Sequence, residues 1–291
     1  MPSLPTPNLF LIGTHKGGTT SFYEMLSTHP AIHAPEPKEP GYFSLTPQLT
    51  ESNLSAYRQI YSEAREQHRF ILDGSTSYAQ TNRYPETVGR IAEHCGNDLK
   101  FIYLLRDPIE RIRAAYVQLR SEGNNDLPRE FSQALPRLIE PTLYHTHYQA
   151  YASVWGPESI FVATFEELIS DPDALSRRCQ TFLGIEQCQL QSVHANAGTD
   201  RNQNSPVLDS LMQLPGALPL AKRLVDSPVG GALLNLRSRL SSPVVKPDLT
   251  PQDLGAKWAQ IRDEAEAILD IAGADHSVWP SLQSTKLAAS R

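Results

Sequence analysis

Short apolar runs alternate with helix-length amphipathic stretches along this chain. Leu9-Phe10-Leu11-Ile12, within Asn8–Gly13, reads as a buried strand ended by a glycine turn. A helix follows from about Gly18 to Ser27, with Phe22, Met25 and Leu26 on its inner face, and Thr28-His29-Pro30 stops it. Ala31–Thr50 is a shaped loop, because Pro35, Pro37, Pro40 and Pro47 recur through it. Phe70-Ile71-Leu72 is a second buried strand that runs into the polar turn Asp73–Ser77. Lys100–Leu105 is the clearest strand in the chain. Arg106-Asp107-Pro108 switches it into a helix, since Asp is a good N-cap and Pro suits the first helical position. Ile109, Ile112, Tyr116 and Leu119 give that helix a core face. Ser159–Thr164 is a fourth strand, followed by Phe165-Glu166-Glu167-Leu168 and a helix from about Pro172 to Leu183 that ends at Gly184. Trp258–Ala272 is a last helix, with Ile261, Ala265, Ile268 and Leu269 facing inward.

Buried strands alternating with helices predict an α/β fold, a parallel sheet with helices on both faces. At 291 residues the chain is long enough to bury a real core, and a single domain over residues 1–291 is expected. Residues 201–251 differ: seven prolines interrupt short amphipathic pieces such as Ser227–Leu240, so an irregular or helical cap is expected there. Acids outnumber bases by 32 to 26, for a net charge of −6, which argues against non-specific nucleic-acid binding, since that needs a basic face, and no nucleic-acid partner is expected. A local basic pocket for an anion is compatible with that balance. Cys95, Cys179 and Cys188 have neither zinc-ligand spacing nor a bridge framework, so a reducing cytoplasm is expected. Met1–Asn8 has no basic residues, and Leu9–Ile12 is too short for a signal segment or a span, so no membrane insertion is expected.

The most informative segment is Gly13-Thr14-His15-Lys16-Gly17-Gly18-Thr19-Thr20-Ser21, set between a strand and a helix. The glycines let backbone approach a ligand, and the helix start offers N–H groups to an anion. Lys16 adds a charge, while Thr19, Thr20 and Ser21 add hydroxyl donors, so the segment forms an anion cradle. It is not a Walker A loop, where the lysine follows the last glycine. A bare glycine pair would merely make a tight turn; the surrounding Lys, Thr and Ser favour the anion site.

Lys16-Gly17-Gly18-Thr19-Thr20 after a strand resembles the 5′-phosphosulfate loop of the sulfotransferases that use 3′-phosphoadenosine 5′-phosphosulfate, especially their carbohydrate and bacterial branch. A second family motif, Arg-x-Pro-x-x-Arg-x-x-Ser-x-Tyr, is matched by Arg106, Pro108, Arg111 and Tyr116, with Ala114 in the serine's place. The missing hydroxyl removes a bond to the 3′-phosphate worth about 1.5–3 kcal/mol. This implies either weaker donor affinity or compensation by a neighbour such as Arg113. Lys38-Glu39-Pro40-Gly41-Tyr42-Phe43, Asp73-Gly74-Ser75-Thr76-Ser77-Tyr78, Phe165-Glu166-Glu167-Leu168 and Asp275-His276-Ser277-Val278-Trp279 resemble weaker family segments.

The resemblance implies a P-loop NTPase-like sheet, with 201–251 folded over the nucleotide cleft. It also implies sulfuryl transfer to an acceptor hydroxyl or amine with no metal. Lys16, Gly17, Gly18, Thr19, Thr20 and Ser21 would hold the 5′-phosphosulfate, Lys16 would also stabilise charge on the leaving phosphate, and Arg106 would hold the 3′-phosphate. Ala114 and Arg201 complete the candidate donor-binding set. Glu39 matches the family's glutamate base, and a carboxylate in a partly desolvated cleft would gain basicity. The alternative is a solvated residue or a partner for Lys38. His15 is the rival base, and His145 and His147 serve either ligand contact or structure. Ser44–Arg69, Glu122–Pro141 and 201–251 would shape the acceptor site. Sugar, lipid, polyketide and small aromatic acceptors all fit, with the branch favouring a sugar. The rival functions are an ATP-dependent phosphotransferase and a non-catalytic nucleotide-binding relative; Ala114 supports the latter.

Overall fold

In the computed structural model, which describes residues 4–121, 128, 130–191, 202–204 and 241–283, the first apolar run is strand β1 (Leu9–Gly13), buried at every position. It occupies the centre of a sheet with β2 (Ile32–His33), β3 (Phe70–Asp73), β4 (Lys100–Leu105) and β5 (Ile160–Thr164), in the order β2–β3–β1–β4–β5. Every pairing is parallel. Leu9 stands opposite Leu72, Ile32 opposite Phe70, Phe10 opposite Phe101 and Tyr103 opposite Val162. The helices are α1 (Thr19–Ser27), α2 (Tyr42–Leu45), α3 (Glu51–Gln59), α4 (Thr87–Cys95), α5 (Pro108–Ser121), α6 (Phe131–Ile139), α7 (Tyr144–Trp155), α8 (Phe165–Ser170), α9 (Pro172–Leu183), α10 (Ala256–Ala272) and α11 (Pro280–Gln283).

Alternation along the strands sends successive side chains to opposite faces. Leu9, Leu11, Ile102, Leu104 and Ala163 meet Phe22, Met25 and Leu26 of α1 and Leu175, Cys179 and Leu183 of α9. On the other face Phe10 stacks on Phe101 at 5.5 Å, and Phe101 packs against Tyr151 and Trp155 of α7 at 5.0 and 4.7 Å. Helix α10 lies against α7 and β5, with Ile261, Ala265, Ile268 and Leu269 shut off from solvent. Covering both faces is what allows strands with so few polar side chains.

By its contacts the chain divides into two compact units. The first comprises Met1–Arg111, Ile139–Ala195 and Thr250–Arg291, and it carries the sheet. The second comprises Ile112–Leu138 and Asn196–Leu249. Within it Tyr116 meets Phe131 edge-on at 5.0 Å, and Arg113 donates to Pro247 O (3.0 Å) and Asp248 Oδ1 (2.9 Å). Of the expected cap at 201–251, the described part includes β6 (Asn202–Asn204), paired antiparallel with β7 (Ser241–Pro243). Ser227–Leu240 and Arg201 lie outside the described residues.

The four anticipated strands and the helices after them stand where the apolar pattern placed them. The proline-rich stretch Ala31–Thr50, expected as loop alone, also holds β2 and the single turn α2. Helix α3 arises inside Ser44–Arg69 with only Leu54 and Tyr57 buried; a capping box between Thr50 and Asn53 starts it.

The C-terminal Trp279 ties two motifs together. Its ring is fully buried 5.7 Å from that of Tyr144, and its Nε1 donates to Glu166 Oε2 at 2.9 Å. Glu166 Oε1 accepts from Asp107 N at 3.1 Å, and Asp107 Oδ2 accepts from Ser281 N at 2.9 Å. Trp279→Ala is expected to lower unfolding free energy by about 3–5 kcal/mol in urea denaturation; a loss under about 1 kcal/mol would contradict this packing.

Candidate functional site

In a sheet of this order the chain leaves β1 toward β2 and β3 on one side and returns to β4 and β5 on the other. Helices therefore diverge at the carboxyl end of β1 and open a crevice there. The loop filling that crevice is held by backbone bonds: Thr14 N donates to Leu104 O (2.5 Å) and Gly17 N to Thr14 O (2.8 Å). A Cβ on Gly17 would stand 2.7 Å from Leu104 O, so a side chain is excluded by the neighbouring strand. Gly18 caps α1 at φ 86°, and a Cβ there would stand 2.5 Å from Phe165 Cδ2. Lys16 itself adopts φ 73°, a left-handed conformation that costs a non-glycine residue about 1–3 kcal/mol.

This geometry leaves the start of α1 without a capping side chain and without an acid in its first turn. Such a terminus favours an anion through its N–H groups and dipole. Around it Thr19 is buried, Ser21 half-buried and Thr20 exposed. Arg106 reaches the same loop from the end of β4. Its guanidinium lies over the Phe165 ring at 4.6 Å and donates to Lys16 O at 3.3 Å. Asp107 caps α5 by accepting from Ile109 N (2.9 Å) and Glu110 N (3.1 Å), so the strand-to-helix switch holds Arg106 at the crevice. Ala114 lies half-buried on the part of α5 that belongs to the second unit. Arg113, the suggested compensating group, is engaged by Pro247 and Asp248 there.

The loop between β2 and α2 brings Lys38 and Glu39 to the first unit's crevice. Lys38 Nζ donates to Glu39 Oε1 (2.6 Å), Gly74 O (3.3 Å) and Thr19 Oγ1 (3.4 Å). Thr76 Oγ1 donates to Glu39 Oε2 at 2.8 Å, so both carboxylate oxygens are engaged. The turn after β3 clamps the loop: Gly74 N donates to Lys38 O (3.1 Å), and Gly41 N donates to Ser75 Oγ (2.9 Å). Ser75 Oγ in turn donates to Asp73 at 2.5 Å. Asp73 is buried and also accepts from Tyr57 (2.7 Å) and Tyr78 (3.0 Å). Its burial raises the carboxyl's pKa in spite of these bonds.

Glu39 behaves in the opposite way, and this corrects the expectation of enhanced basicity. Burial pushes its carboxyl up. The Lys38 ammonium, the hydrogen bonds from Lys38 and Thr76, and His15 outweigh it and hold the group below its ordinary value. Its pairing with Lys38 was the alternative seen in the sequence. Burial, followed by the charges of Arg111 and Lys16, lowers His15 to about 4. A neutral imidazole that weakly basic is poorly matched to taking a proton near neutrality. His147 is buried and bonded to Thr81 Oγ1 (2.8 Å) and Glu140 O (3.1 Å), a structural role; His145 meets Gln149 on α7 at 2.9 Å. Thr76 and the buried Arg111 are members of this cluster to which the sequence assigned no part. Arg111 belonged to a matched motif, whereas nothing in the spacing pairs Thr76 with a glutamate 37 residues earlier.

The fold and this crevice define an α/β protein of P-loop-like topology with a glycine loop and an uncapped helix start at its switch point. The family model described as "Sulfotransferase domain" matches residues 6–214, and the chain belongs to that family. The chain is 27% identical over 192 residues to heparan sulfate glucosamine 3-O-sulfotransferase 3A1 of Mus musculus, covering 62% of this chain and 46% of that protein. Against the Homo sapiens bifunctional heparan sulfate N-deacetylase/N-sulfotransferase 2 the identity is 22%, over 62% of this chain and 22% of that one. This chain thus spans less than half the length of either relative. A solved sulfotransferase from Alicyclobacillus acidocaldarius superposes with a TM-score of 0.62 at 23% identity, covering 94% of this chain and 99% of that one, and shows the same fold. No described helix is long and apolar enough to cross a membrane.

The depressed His15 fixes a pH dependence. Between pH 6.5 and about 4 the unfolded chain takes up a proton on this residue that the folded chain refuses, so unfolding free energy should fall as pH drops through that window. Imidazole NMR should give a His15 midpoint near 4, and a midpoint near 6.5 would contradict the described burial.

Proposed function

We propose that this protein transfers a sulfuryl group from 3′-phosphoadenosine 5′-phosphosulfate to a hydroxyl or amine of an acceptor, with carbohydrates as the favoured class. The observation that carries the proposal is the convergence of an uncapped α1, Lys16, Arg106 and the Lys38–Glu39 pair on one strand-end crevice. Gly17 and Gly18 leave room that a Cβ would fill, which suits close approach of backbone to phosphate oxygens. Membership of the sulfotransferase family and the heparan sulfate named in both relatives support the chemistry and the acceptor class.

Lys16 and the amides of Gly18, Thr19 and Thr20, with the Ser21 hydroxyl nearby, would hold the 5′-phosphosulfate, and Arg106 would hold the 3′-phosphate. The donor supplies an activated sulfur–oxygen bond to a good leaving phosphate. The residues therefore contribute position and charge more than covalent chemistry. Glu39 would accept the acceptor's proton as the acceptor oxygen or nitrogen bonds to sulfur, and the electron pair of the broken bond leaves on the 5′-phosphate. A phosphotransferase using ATP fits less well, because lysine precedes the glycine pair instead of following it.

Turnover followed by release of adenosine 3′,5′-bisphosphate, with glucosamine-containing oligosaccharides, phenols and lipid alcohols as acceptors, tests the proposal. Glu39→Gln should lower turnover by about 10²–10⁴-fold while nucleotide binding persists. Lys16→Ala should lose both binding and turnover. Nucleotide binding with no product from any acceptor would favour a non-catalytic relative, and near-wild-type turnover in Glu39→Gln would remove that residue as the base.

A further inference from the structure

The Lys38 side chain is only 13% exposed, and its three ammonium hydrogens find three acceptors of different chemistry. The 2.6 Å bond to Glu39 is short and charge-assisted, whereas those to Gly74 O at 3.3 Å and Thr19 Oγ1 at 3.4 Å are long and neutral. Thr19 belongs to the first turn of α1, where the anion-binding loop ends. One ammonium therefore touches both the candidate base and the candidate donor cradle. Thr76 holds the second oxygen of Glu39 independently, so the carboxylate stays in place whether or not Lys38 remains on it.

We propose that Lys38 is a donor-sensitive positioning residue: a phosphosulfate or phosphate at the start of α1 draws its ammonium from Glu39 toward Thr19, and the released carboxylate becomes the stronger base. The inference rests on the sulfuryl-transfer proposal and deepens it. The driving force is electrostatic competition. A multiply charged phosphate beside a helix N-terminus outbids one carboxylate for the same cation. The released carboxylate then takes the proton of the acceptor O–H or N–H, the acceptor atom bonds to sulfur, and the sulfur–oxygen bond to the 5′-phosphate breaks with its electron pair. Glu39 would thus be a weak base until the donor is in place, which makes productive acceptor activation follow donor binding.

The groups that bear on the Glu39 charge are Lys38 on its own loop and His15 on the loop after β1, with the uncharged Thr76 from the turn after β3. His15 is in turn held down to about 4 by burial, Arg111 and Lys16, so it is neutral near pH 7, where the donor acts, and takes up its proton in the acid range in which Glu39 itself titrates.

The test is a carboxyl carbon NMR titration of Glu39, identified by loss of its resonance in Glu39→Gln, with and without saturating adenosine 3′,5′-bisphosphate. In wild type the midpoint should rise by about 1 pH unit on nucleotide binding, the size expected when an adjacent cation is withdrawn. In Lys38→Met, or in Lys38→Gln should the first variant fold poorly, the midpoint should already be raised without nucleotide. Nucleotide should then move it by less than half the wild-type amount, which separates the switch from direct repulsion by the phosphates. A wild-type midpoint that does not move, or a Lys38 variant that moves as far as wild type, overturns the switch while leaving donor binding intact. Failure of calorimetry to detect nucleotide binding at all overturns the donor reading, and the switch with it.

Discussion

A parallel sheet covered by helices on both faces has only its strand ends left for ligands, and this constraint organises the site. The strand order puts the reversal at β1, so the chain after Gly13 must turn sharply against the neighbouring Leu104 carbonyl before α1 can start. That turn excludes a side chain at Gly17 and requires the left-handed backbone at Gly18. The same turn leaves the first amides of α1 without a side-chain cap. Packing of β1 between β3 and β4 and the uncapped start of α1 are thus two consequences of one arrangement.

Charge around the crevice runs against the balance of the chain. A molecule of net charge −6 sets Lys38 on Glu39, Arg106 against the backbone of Lys16, and the charges of Arg111, Lys16 and Lys38 around His15. Desolvation then acts differently on each acid. Asp73, enclosed by tyrosine and serine hydroxyls, has its pKa raised, whereas Glu39, beside an ammonium, has its pKa lowered. The buried Asp73 network fixes Ser75, and Ser75 fixes the backbone of the loop that carries Lys38 and Glu39. The position of the Glu39 loop is set by neutral hydrogen bonds, and the lowered pKa of its carboxyl by a cation.

Much of this was legible in residues alone, for definable reasons. Leu9–Ile12 and Phe101–Leu105 are unbroken apolar runs, and Asp107-Pro108 and Gly184 are strong helix punctuation. Helix α7 was not drawn from the sequence, although Tyr144, His147, Tyr148, Tyr151 and Trp155 keep helical spacing. Its buried face is built from aromatic and imidazole rings, which do not read as an aliphatic stripe. Strand β2 is two residues long inside a proline-rich stretch, too short for any periodicity. At the site, the glycine loop and Arg106 were visible because their chemistry is local. The pairing of Glu39 with its neighbour Lys38 was visible as an alternative, whereas the bond from Thr76 was not, because it joins residues 37 apart.

The central claim is that the β1 loop and Arg106 together hold a nucleotide carrying both 5′ and 3′ phosphates. Calorimetric binding of adenosine 3′,5′-bisphosphate to wild type and Arg106→Ala, with ATP and AMP as competitors, tests it most directly. The account predicts micromolar binding that ATP and AMP do not displace and that weakens about 10–100-fold in the variant, the loss expected for hydrogen bonds to a charged group. No binding, or equal preference for ATP, would contradict it.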